Sequence, residues 1–190
     1  MPSENKPTRA RREANIDKAD RTIVYIKPNL FVVADDLKSA GSEKSFEFWL
    51  NTQGTITTDE SDSSKATINK NDAYLFADVV YPQVTSKVYS FTEKPDGTFI
   101  DETVVKNNNI TETKPDTRIG FKTNKTTGTK MVTVLSVNNE NEVPCYYTYE
   151  EINGVIKIAV NEESFLYINN SDKETVTCDN ITFKGEMAYV

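Results

Sequence analysis

The sequence predicts an all-β fold, an antiparallel β-sandwich. From Thr22 onward the apolar residues recur with a period of two rather than 3.6. Short segments rich in β-branched and aromatic residues follow one another roughly every ten to twelve residues, bounded by turn formers. After residue 20 the chain shows no convincing helical pattern.

Taken in order, residues 1–20 carry Lys6, Arg9, Arg11 and Arg12 with almost no large apolar residue, Ile16 being the only one in TRARREANIDKAD. They read as a basic arm or linker, with one continuous sandwich domain over 21–190. TIVYIK (22–27) and LFVVAD (30–35) are two strands held apart by Pro28 and Asn29. SFEFWLN (45–51) alternates, with Phe46, Phe48 and Leu50 on one face and Glu47 and Trp49 on the other. DAYLFADVVY (72–81) follows. KVYSFTE (87–93) and GTFIDETVV (97–105) flank Asp96-Gly97, a strong hairpin signal. RIGFKTN (118–124) and KMVTVLSV (130–137) flank a Thr-Thr-Gly-Thr turn. VPCYYTYEEI (143–152) and VIKIAVN (155–161) flank Asn153-Gly154, a second strong hairpin signal. SFLYINN (164–170), ETVTCD (174–179) and NITFKGEMAYV (180–190) complete the series. The polar stretches TTDESDSSK (57–65) and NNNITETKPDT (107–117) read as long hairpin loops.

Composition narrows the chemistry. The chain has no histidine, which removes Ser-His-Asp and Cys-His machinery and the commonest zinc ligand. Carboxylates, Lys, Tyr and Arg are what remains. The net charge of −7 opposes binding to nucleic acid or to an anionic membrane. No run approaches the roughly 18 apolar residues of a membrane-crossing helix, and the N-terminal residues lack the apolar core of a secretory signal. Cys145 and Cys178 form no CxxC pair and fall in strands, so buried free thiols are expected over a disulfide. There is no phosphate-binding loop and no dinucleotide fingerprint.

The candidate site residues are few. Asp35 and Asp36 end a strand, and neighbours on a strand point to opposite faces, so the pair cannot clamp one reacting atom. One is expected to bond loop amides and the other to face water. Asp59-Glu60-Ser61-Asp62 offers oxygen ligands for calcium but lacks the spacing and central Gly of an EF-hand loop. Tyr147 and Tyr149 share a face by parity, with Tyr146 on the other. Together with Trp49 they are candidates for stacking on sugar rings, and core packing is the plainer account of them.

The order of the segments resembles a known family. Arg21-Thr22-Ile23-Val24-Tyr25-Ile26-Lys27-Pro28, then Phe31-Val32-Val33, then Asp36, is similar to the start of the C-terminal β-sandwich of heparinase II/III-like polysaccharide lyases. FEFWLN, DAYLFADVVYP and KMVTVLSV follow in the family's order, so the resemblance covers about residues 21–140. It implies a parent protein whose helical α/α-toroid carries most of the catalytic groups and drives β-elimination at a uronic acid. It also implies a bacterial, periplasmic or extracellular setting. This chain would then be a non-catalytic sandwich that braces the toroid, its partner, and contacts acidic polysaccharide. Arg9, Arg11 and Arg12 are candidate contacts for that substrate, alongside Trp49, Tyr147 and Tyr149. Some relatives hold zinc in the sandwich through His residues and the strand-ending Asp. Asp36 matches that Asp, but Asn51 stands where the His would be, and an amide is a poor zinc ligand. No metal and no other cofactor is expected, and Asp35 is expected to be a surface carboxylate.

The rival reading is a stand-alone secreted or cell-surface carbohydrate-binding or adhesin-like sandwich. The two differ in what is encoded before Met1, a helical toroid for the first and a signal peptide for the second.

Overall fold

Leu30-Phe31-Val32-Val33-Ala34 is apolar at every position, and a strand of that kind must be covered on both faces. The computed structural model describes residues 15–90, 117–139, 142, 145–171 and 173–190, and there the requirement is met. The strands are β1 (Ile16–Ile26), β2 (Leu30–Ser39), β3 (Glu47–Thr52), β4 (Thr55–Thr58), β5 (Lys65–Lys70), β6 (Ala73–Tyr81), β7 (Val84–Ser90) and β8 (Thr117–Thr123). They continue with β9 (Gly128–Asn139), β10 (Tyr147–Ile152), β11 (Val155–Val160), β12 (Ser164–Asn169), β13 (Thr175–Cys178), β14 (Ile181–Lys184) and β15 (Met187–Tyr189). A six-stranded sheet runs β1-β2-β9-β6-β5-β4, a three-stranded sheet β3-β8-β7, a four-stranded sheet β10-β11-β12-β15, and β13 pairs with β14.

Two cores share the six-stranded sheet. On one face Leu30, Val32, Val132 and Val134 pack against Ile156, Ile158, Leu166 and Ile168 of the four-stranded sheet. On the other, Val33, Ala77, Val79 and Met131 pack against Phe48, Ile119 and Phe121 of the three-stranded sheet. A third, smaller core joins the far side of the four-stranded sheet to the β13–β14 hairpin through Val155, Tyr167, Val176 and Cys178. The fold is therefore the expected all-β antiparallel sandwich, with its central sheet covered twice.

Turn chemistry works as the sequence predicts at Asn153-Gly154, where φ is +52° and +80°. A two-residue hairpin of this twist needs positive φ at both positions, which Asn and Gly adopt at least cost.

Several expectations are corrected. Strand β1 starts at Ile16, so residues 16–20, placed in the arm, extend the sheet: Ala19 pairs with Leu37 and Asp20 with Asp36. Charge pairs rather than apolar burial hold this end of the strand, and hydropathy does not report them. The loop expected over 57–65 is shorter, because Thr57 and Thr58 lie in β4 and Lys65 opens β5, whose Ala66 and Ile68 are buried. The segments either side of the Thr-Thr-Gly-Thr turn are strands as expected, and β8 and β9 lie in different sheets. The last expected strand divides into β14 and β15 around Gly185. The Asp96-Gly97 hairpin, most of the 107–117 loop and residues 1–14, with Arg9, Arg11 and Arg12, lie outside the described residues. The two cysteines are free, Cys178 buried and Cys145 partly so.

One buried group stands out. Thr133 is 0 % exposed, its hydroxyl has no hydrogen-bond partner, and it sits between Val33 and Val79 on neighbouring strands. An unmade hydrogen bond in a dry core costs about 1–3 kcal/mol. Thr133→Val removes it without changing shape, so urea denaturation should show a gain of about 1 kcal/mol; a loss of stability would mean that the hydroxyl has a partner.

Candidate functional site

A cleft of about 500 Å³ is lined by Thr57, Lys65, Thr67, Phe76, Ser136 and Tyr147, among others. Its floor is the face of β5, β6 and β9 turned toward the four-stranded sheet. Asp78 reaches this face because Ala77 and Val79 take the opposite one. The Tyr147 hydroxyl donates to Asp78 Oδ2 at 2.9 Å, and Ser64 Oγ donates to Oδ1 at 3.1 Å. Lys65 pairs with Asp78 in the ladder and its ammonium bonds Asp62 at 2.7 Å.

Burial pushes the Asp78 carboxyl above the usual range, and the bonds from Tyr147 and Ser64 and the Lys65 charge only partly offset it. Burial first and the Asp78 charge second push the Tyr147 phenol up as well. Tyr147 is therefore a hydrogen-bond donor to Asp78 at neutral pH and no base. Asp62 moves the other way, to about 2, chiefly through its bond from Lys65. Tyr149, 44 % exposed and on the same face of β10 as Tyr147, lies within electrostatic reach of Asp78, Lys65 and Asp62. With Phe76, 37 % exposed, these groups can accept and donate hydrogen bonds to a hydroxyl-rich ligand beside an aromatic wall. Sequence reasoning named both tyrosines but missed Asp78, which looks like one more outward polar position in a strand.

Asp35 and Asp36 point to opposite faces, as strand geometry requires, but their roles differ from expectation. Asp35 is the buried member, 6 % exposed, and no surface carboxylate. Arg21 grips it with both arms of the guanidinium, Nε to Oδ1 at 2.5 Å and Nη2 to Oδ2 at 2.7 Å, while the same guanidinium lies over Phe48 at 5.4 Å. Arg21 thus belongs to the sheet. Asp36 receives Lys18 Nζ at 2.6 Å and Lys130 Nζ at 2.9 Å, and Lys130 also bonds Glu186. Two ammonium groups thus share one oxygen, Oδ2, of this carboxylate. Asn51 sits on the three-stranded sheet, across the six-stranded sheet from Asp36. The residues present do not fit a zinc site, and among the described residues no group of three His, Cys, Asp or Glu could hold a metal. In the 59–62 loop, Asp59 accepts from Ser61 and Asp62 from Ser64 and Lys65.

Trp49 lies elsewhere, on the outer face of β3, with Phe48 on the inner face as the alternation predicts. The structure therefore brings Tyr147 and Tyr149 together and separates both from Trp49.

The two network carboxylates should show opposite pH behaviour. Burial raises the pKa of Asp36, but the bonds from Lys18 and Lys130 outweigh it, and the net shift is down. Its contribution to stability is present above about pH 4 and is lost as pH falls through its depressed pKa. Asp78 has a raised folded pKa, so charging it costs stability, and that cost disappears as pH falls through the raised value toward about 4. Denaturation across this range should show Asp36→Asn losing least against wild type at the acid end, and Asp78→Asn gaining most near neutrality. Parallel pH curves for both variants and wild type would refute the assignment.

No family model matches the chain, and no curated protein matches its sequence. Among solved structures it is similar to a mutant of the heparan sulfate lyase HepC from Pedobacter heparinus, with a TM-score of 0.55 and 10 % sequence identity. The match covers 84 % of this chain and 25 % of that one, so the chain spans a quarter of the length of the lyase it resembles. At this identity the likeness is one of fold: the β-sandwich described here is also present in a polysaccharide lyase.

Proposed function

We propose that the chain is a non-catalytic β-sandwich module of a heparinase II/III-like polysaccharide lyase, bracing the catalytic toroid of a parent protein and contacting acidic polysaccharide. One observation carries this reading, the fold shared over 84 % of the chain with a quarter of a heparan sulfate lyase. The site chemistry supports the non-catalytic part. Abstraction of a proton next to a uronate needs a base poised near neutral pH, whereas the phenol of Tyr147 is held protonated and Asp36 is neutralised by two lysines. A net charge of −7 disfavours nucleic acid and anionic membranes as partners. The setting that goes with this role is periplasmic or extracellular.

A second reading, a stand-alone carbohydrate-binding module, is favoured by the cleft itself. Phe76 and Tyr147 line it beside Thr57 and Thr67, and Tyr149 lies on the same face of β10 as Tyr147, so aromatic rings stand beside polar groups in the manner of a small-ligand site.

The test is to incubate the chain with heparan sulfate and with alginate, follow the ultraviolet absorbance of unsaturated uronate, and titrate acidic and neutral oligosaccharides calorimetrically. No product and a preference for the acidic ligands are expected. Product formed by the chain alone would overturn the non-catalytic assignment. A preference for neutral oligosaccharide, weakened about tenfold or more by Tyr149→Ala, would favour the second reading.

A further inference from the structure

The face of the six-stranded sheet turned toward the four-stranded sheet runs on past it. Among the described residues, the core between those two sheets takes nothing from β4 or β5. Pairing across β4, β5 and β6 sets two rows on the part left open: Thr57, Thr67 and Phe76; Thr55, Asn69 and Tyr74. Their alternates Ile56, Ala66 and Ala77 pack into the core on the opposite face. The first row lines the cleft already described, and the second continues it along the strands.

On β6, Tyr74 and Phe76 stand two residues apart with ring centres 6.4 Å apart and ring planes within 14° of parallel. Phe76 is exposed and Tyr74 half-buried. This apolar area stays in water, and packing a ligand against it removes that cost. Beside the rings, about 5 and 10 Å away across the strands, stand Thr67 and Asn69 and then Thr57 and Thr55. Among the described residues, no hydrogen bond engages the side chains of these four or the Tyr74 hydroxyl.

Neither row contains a charged residue. The row next to them holds Lys65 and Asp78, and both are already engaged, Lys65 by Asp62 and Asp78 by Tyr147 and Ser64. An acid group laid on this face would meet no cation in either row. A purely apolar chain would cover the threonines and Asn69 without bonding them, which is costly. A sugar ring avoids both difficulties, because it has C–H groups on its faces and hydroxyls along its edge.

We propose that this face binds a run of sugar units by their rings and hydroxyls and takes no part in reading charge. Tyr74 and Phe76 pack against the C–H groups, while Thr57, Thr67 and Asn69 exchange hydrogen bonds with the hydroxyl edge. The proposal rests on the polysaccharide contact put forward above, and it gives that contact a place and a chemistry.

The experiment titrates the full, isotope-labelled chain with cellohexaose and with a heparin hexasaccharide, following backbone amide resonances at 0.1 and 0.5 M salt. Cellohexaose should shift the signals of the two rows saturably and equally at both salt concentrations, although the screening length falls from about 10 to about 4 Å. Phe76→Leu and Tyr74→Leu, which keep apolar bulk but lose the ring, should each weaken binding about three- to tenfold. Thr67→Val keeps the shape and should weaken it about two- to tenfold. It carries the test alone if a ring variant loses the dispersed spectrum of the folded chain. Emission from Trp49, which lies on the three-stranded sheet, should stay unchanged. Shifts caused by the heparin hexasaccharide alone and abolished by 0.5 M salt would show charge recognition, sinking this inference while the lyase-module reading survives. Shifts confined to other strands would do the same, and no shift with either oligosaccharide would end the proposal. The lyase-module reading fails on a different observation, unsaturated product formed by the chain alone.

Discussion

Everything in this molecule depends on one sheet having no solvent face along its middle. Strands β2 and β9 are apolar on both sides, and each side needs a cover. The three-stranded and four-stranded sheets supply the two covers, and the β13–β14 hairpin then covers what remains exposed of the second. Hydrophobic burial is non-directional, so it sets how many layers there are without choosing their contents. The contents follow from parity: on each central strand, alternate residues belong to different cores.

A doubly covered sheet restricts where polar groups can sit. Apart from Thr133, the polar side chains that enter bring a partner. Asn29 donates to Asn138 at 2.6 Å, Asn138 donates to Ser136 at 2.9 Å, and Arg21 closes on Asp35 where the sheet reaches its edge strand. The last pair also ties the first strand to its neighbour at a point where apolar contact is thin. The Lys18–Asp36–Lys130–Glu186 chain does the same on the opposite face. The carboxylates that look most chemical in the sequence are thus spent on closing the sheet, and breaking such pairs leaves a charge without its partner.

Chemistry is left to the places where a cover ends. Where the four-stranded sheet stops short of β5, a cleft opens with a carboxyl whose proton affinity is raised by burial. The outer side of the three-stranded sheet presents stacked rings and cations instead. These two surfaces differ in kind.

The sequence by itself determined the fold class, most strand positions, the faces of Phe48 and Trp49, and the Asn153-Gly154 turn. All of these rest on local rules of period, propensity and φ. It also showed that Asp35 and Asp36 could not work as a pair. Only the tertiary structure decided that Asp35 is the buried one, that residues 16–20 join the sheet, that β8 and β9 part into separate sheets, and that Asp78 meets Tyr147. Each of those depends on which distant strand arrives alongside: Arg21 reaches Asp35, and Tyr147 reaches Asp78, only across strands brought together by folding. A strand's own sequence states which side of it is apolar. The partner that covers that side, and so the environment of every polar residue beside it, is set by contacts between segments far apart in the chain.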